Sequence, residues 1–129
     1  MNDSRTTRPA MGRLHHILIQ VKDLAAAENF YADILGLTAL EMPAEVMQAG
    51  IRWFDLGEGR MLHLLQTEDM TPLPRAHLAF TVDDVAGWRA YIERKGIEIV
   101  KPRVQVYQME RFFFRDPSGN LLEFVKWPD

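Results

Sequence analysis

The 129-residue chain contains no cysteine, which removes disulfides, thiolate nucleophiles, iron–sulfur clusters and cysteine zinc sites together. Any metal must then be held by histidine, aspartate or glutamate. Histidine itself is scarce, with four in the chain. Charge bias is missing too: a formal net charge of −3 with acidic and basic residues interspersed leaves no basic stripe for nucleic acid. No apolar run reaches the length of a bilayer span, so no membrane partner is expected. The opening MNDSRTTRPAMG has no apolar signal core, and the expectations are a flexible tail over residues 1–12 and a cytoplasmic protein. What is there is 47% hydrophobic residues, enough for a single domain, residues 13–129, to bury its own core.

That domain is written twice, about residues 13–67 and 75–127, on either side of the proline-containing TEDMTPLP. LHHILIQVKDLAAAENFYADILGL opens the first half and RAHLAFTVDDVAGWRAYIERKGIEI the second. Aligning Val21-Lys22-Asp23 on Val82-Asp83-Asp84 turns Ile17, Ile19, Val21 and Leu78, Phe80, Val82 into one alternating strand used twice. Asp23 and Asp84 stand where helix N-caps belong. Helices are expected over about residues 24 to 35 and 85 to 95, each closed by a C-cap glycine, Gly36 or Gly96. Further strands are expected at about 38 to 42, 50 to 56 and 60 to 66, and again at about 97 to 103, 109 to 115 and 120 to 126. The turns DLGEGR and RDPSGN introduce the last strand of each half, so each module reads βαβββ.

The histidines test that alignment independently. His16 and His77 fall on the same repeat position, and R-M-L-H-L-L against N-L-L-E-F-V sets His63 opposite Glu123. Strand alternation puts Ile17, Ile19 and Val21 beneath the helix and His16, Leu18 and Gln20 on the other face. His77, Ala79 and Thr81 share that other face, as do His63 and Glu123. If the two sheets face one another, four metal-ligand side chains converge in a space otherwise lined by small or apolar groups. Burying them unpaired is costly, and a shared divalent cation removes the cost. A satisfied strand histidine is the plainer reading for His15, which lies on the wrong side of the pleat. Arg52 in IRWFDL and Arg111 in RFFFRDPSGN are candidate anion contacts, although strand-edge arginines usually snorkel to water. Trp53, Phe112 and Phe114 suit either a ligand cleft or the core.

With these residues in place the sequence resembles the vicinal oxygen chelate superfamily, which includes glyoxalase I, fosfomycin-resistance thiol transferases, extradiol dioxygenases and bleomycin-resistance proteins. The motifs are HHILIQVKDL, FYADILGL, AHLAFTVDDV and FFFRDPSGNLLEF, spread from Leu14 to Trp127. The resemblance implies an α+β fold of two βαβββ modules forming a curled mixed β-sheet around a metal-binding cleft. It implies His16, His77 and Glu123 as metal ligands, and it places His63 where glyoxalase I enzymes commonly carry a glutamate. Such a set suits zinc, nickel, cobalt, manganese or iron(II). Gln20 and Thr67 replace the arginine and asparagine that bacterial glyoxalases use for glutathione. The implied activity is chelation of neighbouring oxygens of a small-molecule substrate and lyase or isomerase chemistry like that of glyoxalase I (lactoylglutathione lyase), with Glu123 as candidate base. Extradiol-type ring cleavage and non-catalytic drug binding are the alternatives. Open sheet edges and the resemblance together predict a homodimer.

Overall fold

The structure, a computed structural model, describes residues 7–104 and 109–128. Residues 1–6 of the expected tail lie outside the described residues, and residues 8–15 run exposed up to the first strand. In chain order the elements are β1 (His16–Val21), α1 (Leu24–Glu28) continuing as a π-helical segment (Asn29–Ile34), β2 (Thr38–Ala39), α2 (Ala44–Gln48), β3 (Ile51–Gly57) and β4 (Arg60–Gln66). The second module follows as β5 (His77–Thr81), α3 (Val85–Arg94), β6 (Ile99–Val100), β7 (Glu110–Arg115) and β8 (Leu121–Lys126). Two four-stranded sheets result, ordered β1-β4-β3-β2 and β5-β8-β7-β6. Each is mixed: the first and last strands of a module run parallel, and the rest pair antiparallel.

Both aspartate caps form. Asp23 accepts from the Ala26 amide at 3.2 Å and Asp84 from the Gly87 amide at 2.9 Å, each satisfying a first-turn donor that the helix cannot pair. Gly36 and Gly96 close the helical runs at φ 84° and 76°, a conformation other residues enter only at a cost. Three features depart from the expected pattern. The first helix widens into π turns, with Leu35 donating to the Phe30 carbonyl at 2.9 Å, and this lets the consecutive Phe30 and Tyr31 both bury. A short helix, α2, interrupts module one after β2. Pro43 has no amide to continue the β2–β3 ladder and instead stands at the N-cap of α2. The same strand of module two, β6, is equally short and runs into Pro102.

Leu62, Leu64, Phe54, Leu122, Phe112, Phe114 and Phe124 merge with the helix residues Leu24, Phe30, Tyr31, Val85 and Ile92 into one buried cluster. The helix-side faces of both sheets therefore share a single core, and each sheet's outer face turns away from it. Polar staples join the modules across that core. The Lys22 amide donates to Ser118 Oγ at 2.8 Å, and the Tyr31 hydroxyl donates to buried Asp116 at 2.7 Å. Burial and then the Asp116 carboxylate push the Tyr31 phenol upward, which keeps it a donor. Removing that donor in Tyr31→Phe should cost about 1–3 kcal/mol, because a buried carboxylate loses a charge-assisted bond. Urea unfolding measures it; an unchanged free energy would show the staple to be dispensable.

Candidate metal centre

On the outer face of module one, β1 and β4 set Leu18 level with His63 and His16 level with Met61. His16 and His63 thus sit diagonally across the pair, their rings stacked with centroids 4.2 Å and planes 19° apart. Trp53, level with His63 on β3, stacks on the same imidazole at 5.1 Å. His63 is 8% exposed, and its Nε2 is buried with no hydrogen-bond partner. Burial, then the neighbouring His16 and His15, lower its pKa, so the ring is held neutral. Neutral imidazole is the ligand form, with a lone pair to give. An orphaned buried polar atom costs about 1–3 kcal/mol, and a divalent cation on that nitrogen removes the cost.

Module two repeats the diagonal with β5 and β8. Ala79 is level with Glu123, which sets His77 diagonal to it. His77 Nδ1 lies 2.8 Å from the Arg75 carbonyl, which can only accept, so this nitrogen carries the proton. Its Nε2 faces Glu123 Oε1 at 3.1 Å. Two acceptor atoms then point at one another and need a proton or a cation between them. Ligands bonded to one ion at about 2.1 Å stand about 3 Å apart when their bonds are nearly perpendicular, so the observed spacing fits a shared ion. The Nδ1–H to carbonyl bond is also the usual way a metal-ligating histidine is fixed in tautomer and direction. The residues present fit a divalent metal.

The four expected ligands therefore come together as two pairs, His16 with His63 and His77 with Glu123. Among the described residues no three His, Asp or Glu stand close enough to share one ion. Each pair is built within its own sheet, His16 with His63 across β1 and β4 and His77 with Glu123 across β5 and β8. Of the candidate substrate contacts, Gln20 lies on the outer face with His16 and lines an open groove shared with His77. Arg52 does not reach that face. Its guanidinium pairs with Glu28 at 2.9 Å and with the Met47 and Ile51 carbonyls, because alternation on β3 gives the outer face to Trp53. Arg111 is on the outer face, but its guanidinium meets Glu123 at 3.4 Å and the Val104 carbonyl.

One expectation about the rings is corrected and one open alternative is decided. His15, expected to point away, lies T-shaped to His16 at 5.2 Å, with Nδ1 atoms 2.9 Å apart. It precedes β1, where strict alternation does not hold. Phe112 and Phe114 belong to the core, at 1% and 0% exposed. The aromatic residue against the second pair is Phe113, level with Glu123 and edge-on to His77 at 5.4 Å. The signal for it was present: any residue level with Glu123 must share its face.

The sequence and the fold have parallels among known proteins. The chain is 37% identical over 126 residues to the uncharacterized protein YaeR of Escherichia coli (strain K12), an alignment covering 88% of this chain and 95% of that protein. A putative glyoxalase family protein from Bacillus anthracis superposes with a TM-score of 0.81 at 25% identity, covering 95% of this chain and 100% of the other. A glyoxalase/dioxygenase from Nostoc punctiforme gives 0.77 at 26% identity, covering 95% and 99%. The family model of the Glyoxalase/Bleomycin resistance protein/Dioxygenase superfamily matches residues 13–124, a span that reaches from module one into the last strand of module two and holds all four ligand-type side chains. By that match, and with its twofold βαβββ repeat, the chain belongs to that superfamily.

Proposed function

We propose that this protein is a divalent-metal-dependent enzyme of the glyoxalase I type, a lyase or isomerase acting on a small molecule with two neighbouring oxygens. The observation that carries the reading is the buried, partnerless Nε2 of His63, stacked on His16. His16 and His63 would supply half of the ligand set, and His77 and Glu123 the other half. Since the two pairs lie apart within one chain, the reading includes a homodimer in which His16 and His63 meet His77 and Glu123 of the partner subunit. A cytoplasmic location is part of the same proposal. Among the described residues no helix is long and apolar enough to cross a membrane.

When bound, the metal supplies Lewis acidity toward substrate oxygens, favouring loss of a neighbouring proton. The chain's own residues do the rest. Glu123, whose carboxylate stands beside His77, is the candidate base. Trp53 and Phe113 wall the two pairs with apolar surface and exclude water, which strengthens every polar contact inside. Gln20 offers a neutral amide to the substrate where a cation would select carboxylates.

The test is the metal content of protein purified without added metal, for wild type and for His77→Ala. Wild type should carry close to one ion per ligand set, and His77→Ala at most about a tenth of that. Full occupancy in the variant, or a wild type that takes up none of zinc, nickel, cobalt, manganese or iron(II) on dialysis, would end the proposal.

A further inference from the structure

We propose that Arg111 is a positioning residue for the metal centre: it holds Oε2 of Glu123 and thereby presents Oε1 alone to the ion. This inference rests on the metal-binding reading above. Its geometric basis is a division of labour at one carboxylate. Arg111 Nη1 lies 3.4 Å from Oε2, and His77 Nε2 lies 3.1 Å from Oε1. A carboxylate free at both oxygens can rotate, bind an ion through both, or fold onto a neighbouring donor. One whose second oxygen is held by a guanidinium is restricted to one oxygen and one direction.

Arg111 is itself fixed. Its Nη2 donates to the Val104 carbonyl, and the guanidinium carbon sits 5.2 Å from the centre of the Phe113 ring. Its side chain is 16% exposed and that of Glu123 7%. An arginine serving substrate would be expected to keep its donors free. Here two of its terminal nitrogens are already engaged.

The repeat supplies an internal control. Arg111 is level with Val125 and Phe113 with Glu123, while Ile51 is level with Leu65 and Trp53 with His63. Position 51 thus stands to His63 as position 111 stands to Glu123. Where the module offers a carboxylate, the diagonal neighbour is a cation. Where it offers a neutral imidazole, the neighbour is isoleucine. The arginine follows the carboxylate rather than the fold, because a βαβββ module builds without it.

Arg111 also carries a positive charge close to a cation site, and this makes the two possible roles separable. A bystander charge only repels the ion, so its removal should raise metal affinity whatever stands at 123. A positioning residue acts through Glu123, so its removal should lower affinity and do so only when Glu123 is present. Metal affinity is therefore measured by competition with a chelator for wild type, R111L, E123Q and the R111L/E123Q double variant, with cobalt(II) as the probe. We expect R111L to lower affinity about tenfold in the wild-type background and to have no such effect beside E123Q. R111K, which keeps the charge with fewer donors and preserves the fold if R111L does not, should recover part of the loss and return the cobalt absorption spectrum toward wild type. Equal or raised affinity in R111L, or the same loss in both backgrounds, would overturn the positioning role while leaving the metal centre standing. A wild type that binds no cobalt would overturn the metal reading instead, and this role with it.

Discussion

His63→Leu should empty the metal centre and stabilise the metal-free protein in the same molecule. The two effects have one cause. In the metal-free chain Nε2 of His63 is buried without a partner, and the fold bears its lost hydration. Leucine has similar bulk and no polar atom, so the strand between His16 and Trp53 keeps its apolar contacts and loses the penalty. A gain of about 1 kcal/mol follows, or about 3 to 5 °C in the melting temperature measured in chelator. The metal affinity should meanwhile fall at least about tenfold, since a direct ligand contributes no less than an outer partner. Calorimetry with chelator and elemental analysis after dialysis read the two signs separately. Retained metal would place His63 beyond contact with the ion, and a lower melting temperature would show that Nε2 carries no penalty. A structural histidine predicts loss of stability with no change in metal; the opposing signs belong to a ligand.

Much of this centre is written in the sequence because strands translate spacing into facing with a period of two. The Val-x-Asp register set His16 equivalent to His77 and placed both helix caps, the closing strands set His63 opposite Glu123, and alternation put all four on the outer faces; their division into two pairs came only with the structure. Legibility stops where periodicity stops. His15 precedes the ladder, so parity said nothing valid about it, and the structure turns its ring onto His16. The π-helical segment Asn29–Ile34 breaks the 3.6-residue rhythm, and its benefit, two consecutive buried aromatics, arises from tertiary packing. Five-residue α2 has too little pattern to be seen. Arg52 and Arg111 look alike as strand arginines, yet one pairs with Glu28 of a helix and the other with Glu123 of a neighbouring strand. Those partners are 24 and 12 residues away, distances over which local pattern carries no information.

The separation of the two ligand pairs is the other thing parity could not reveal, and it yields the largest expected effect. Alternation fixes which side chains share a sheet face. It does not say whether two sheets present those faces to each other or away. Here the helix-side faces fuse in one core, and among the described residues no three ligand-type side chains meet, so the proposed centre draws on a second chain. In a dimer that shares its centres, each one draws His16 and His63 from one chain and His77 and Glu123 of the partner subunit. His16→Ala and His77→Ala are then each nearly metal-free as purified. When the two variants are unfolded together and refolded, every mixed dimer contains one centre damaged twice and one fully wild-type. Statistical mixing makes half of the dimers mixed, so about a quarter of the wild-type metal should return, and tagging the two chains to isolate mixed dimers should raise this to about half. Centres built within single chains predict no recovery at any mixing ratio. Metal analysis of the doubly tagged fraction therefore decides between them: recovery near half establishes shared centres, and none removes the dimeric part of the proposal.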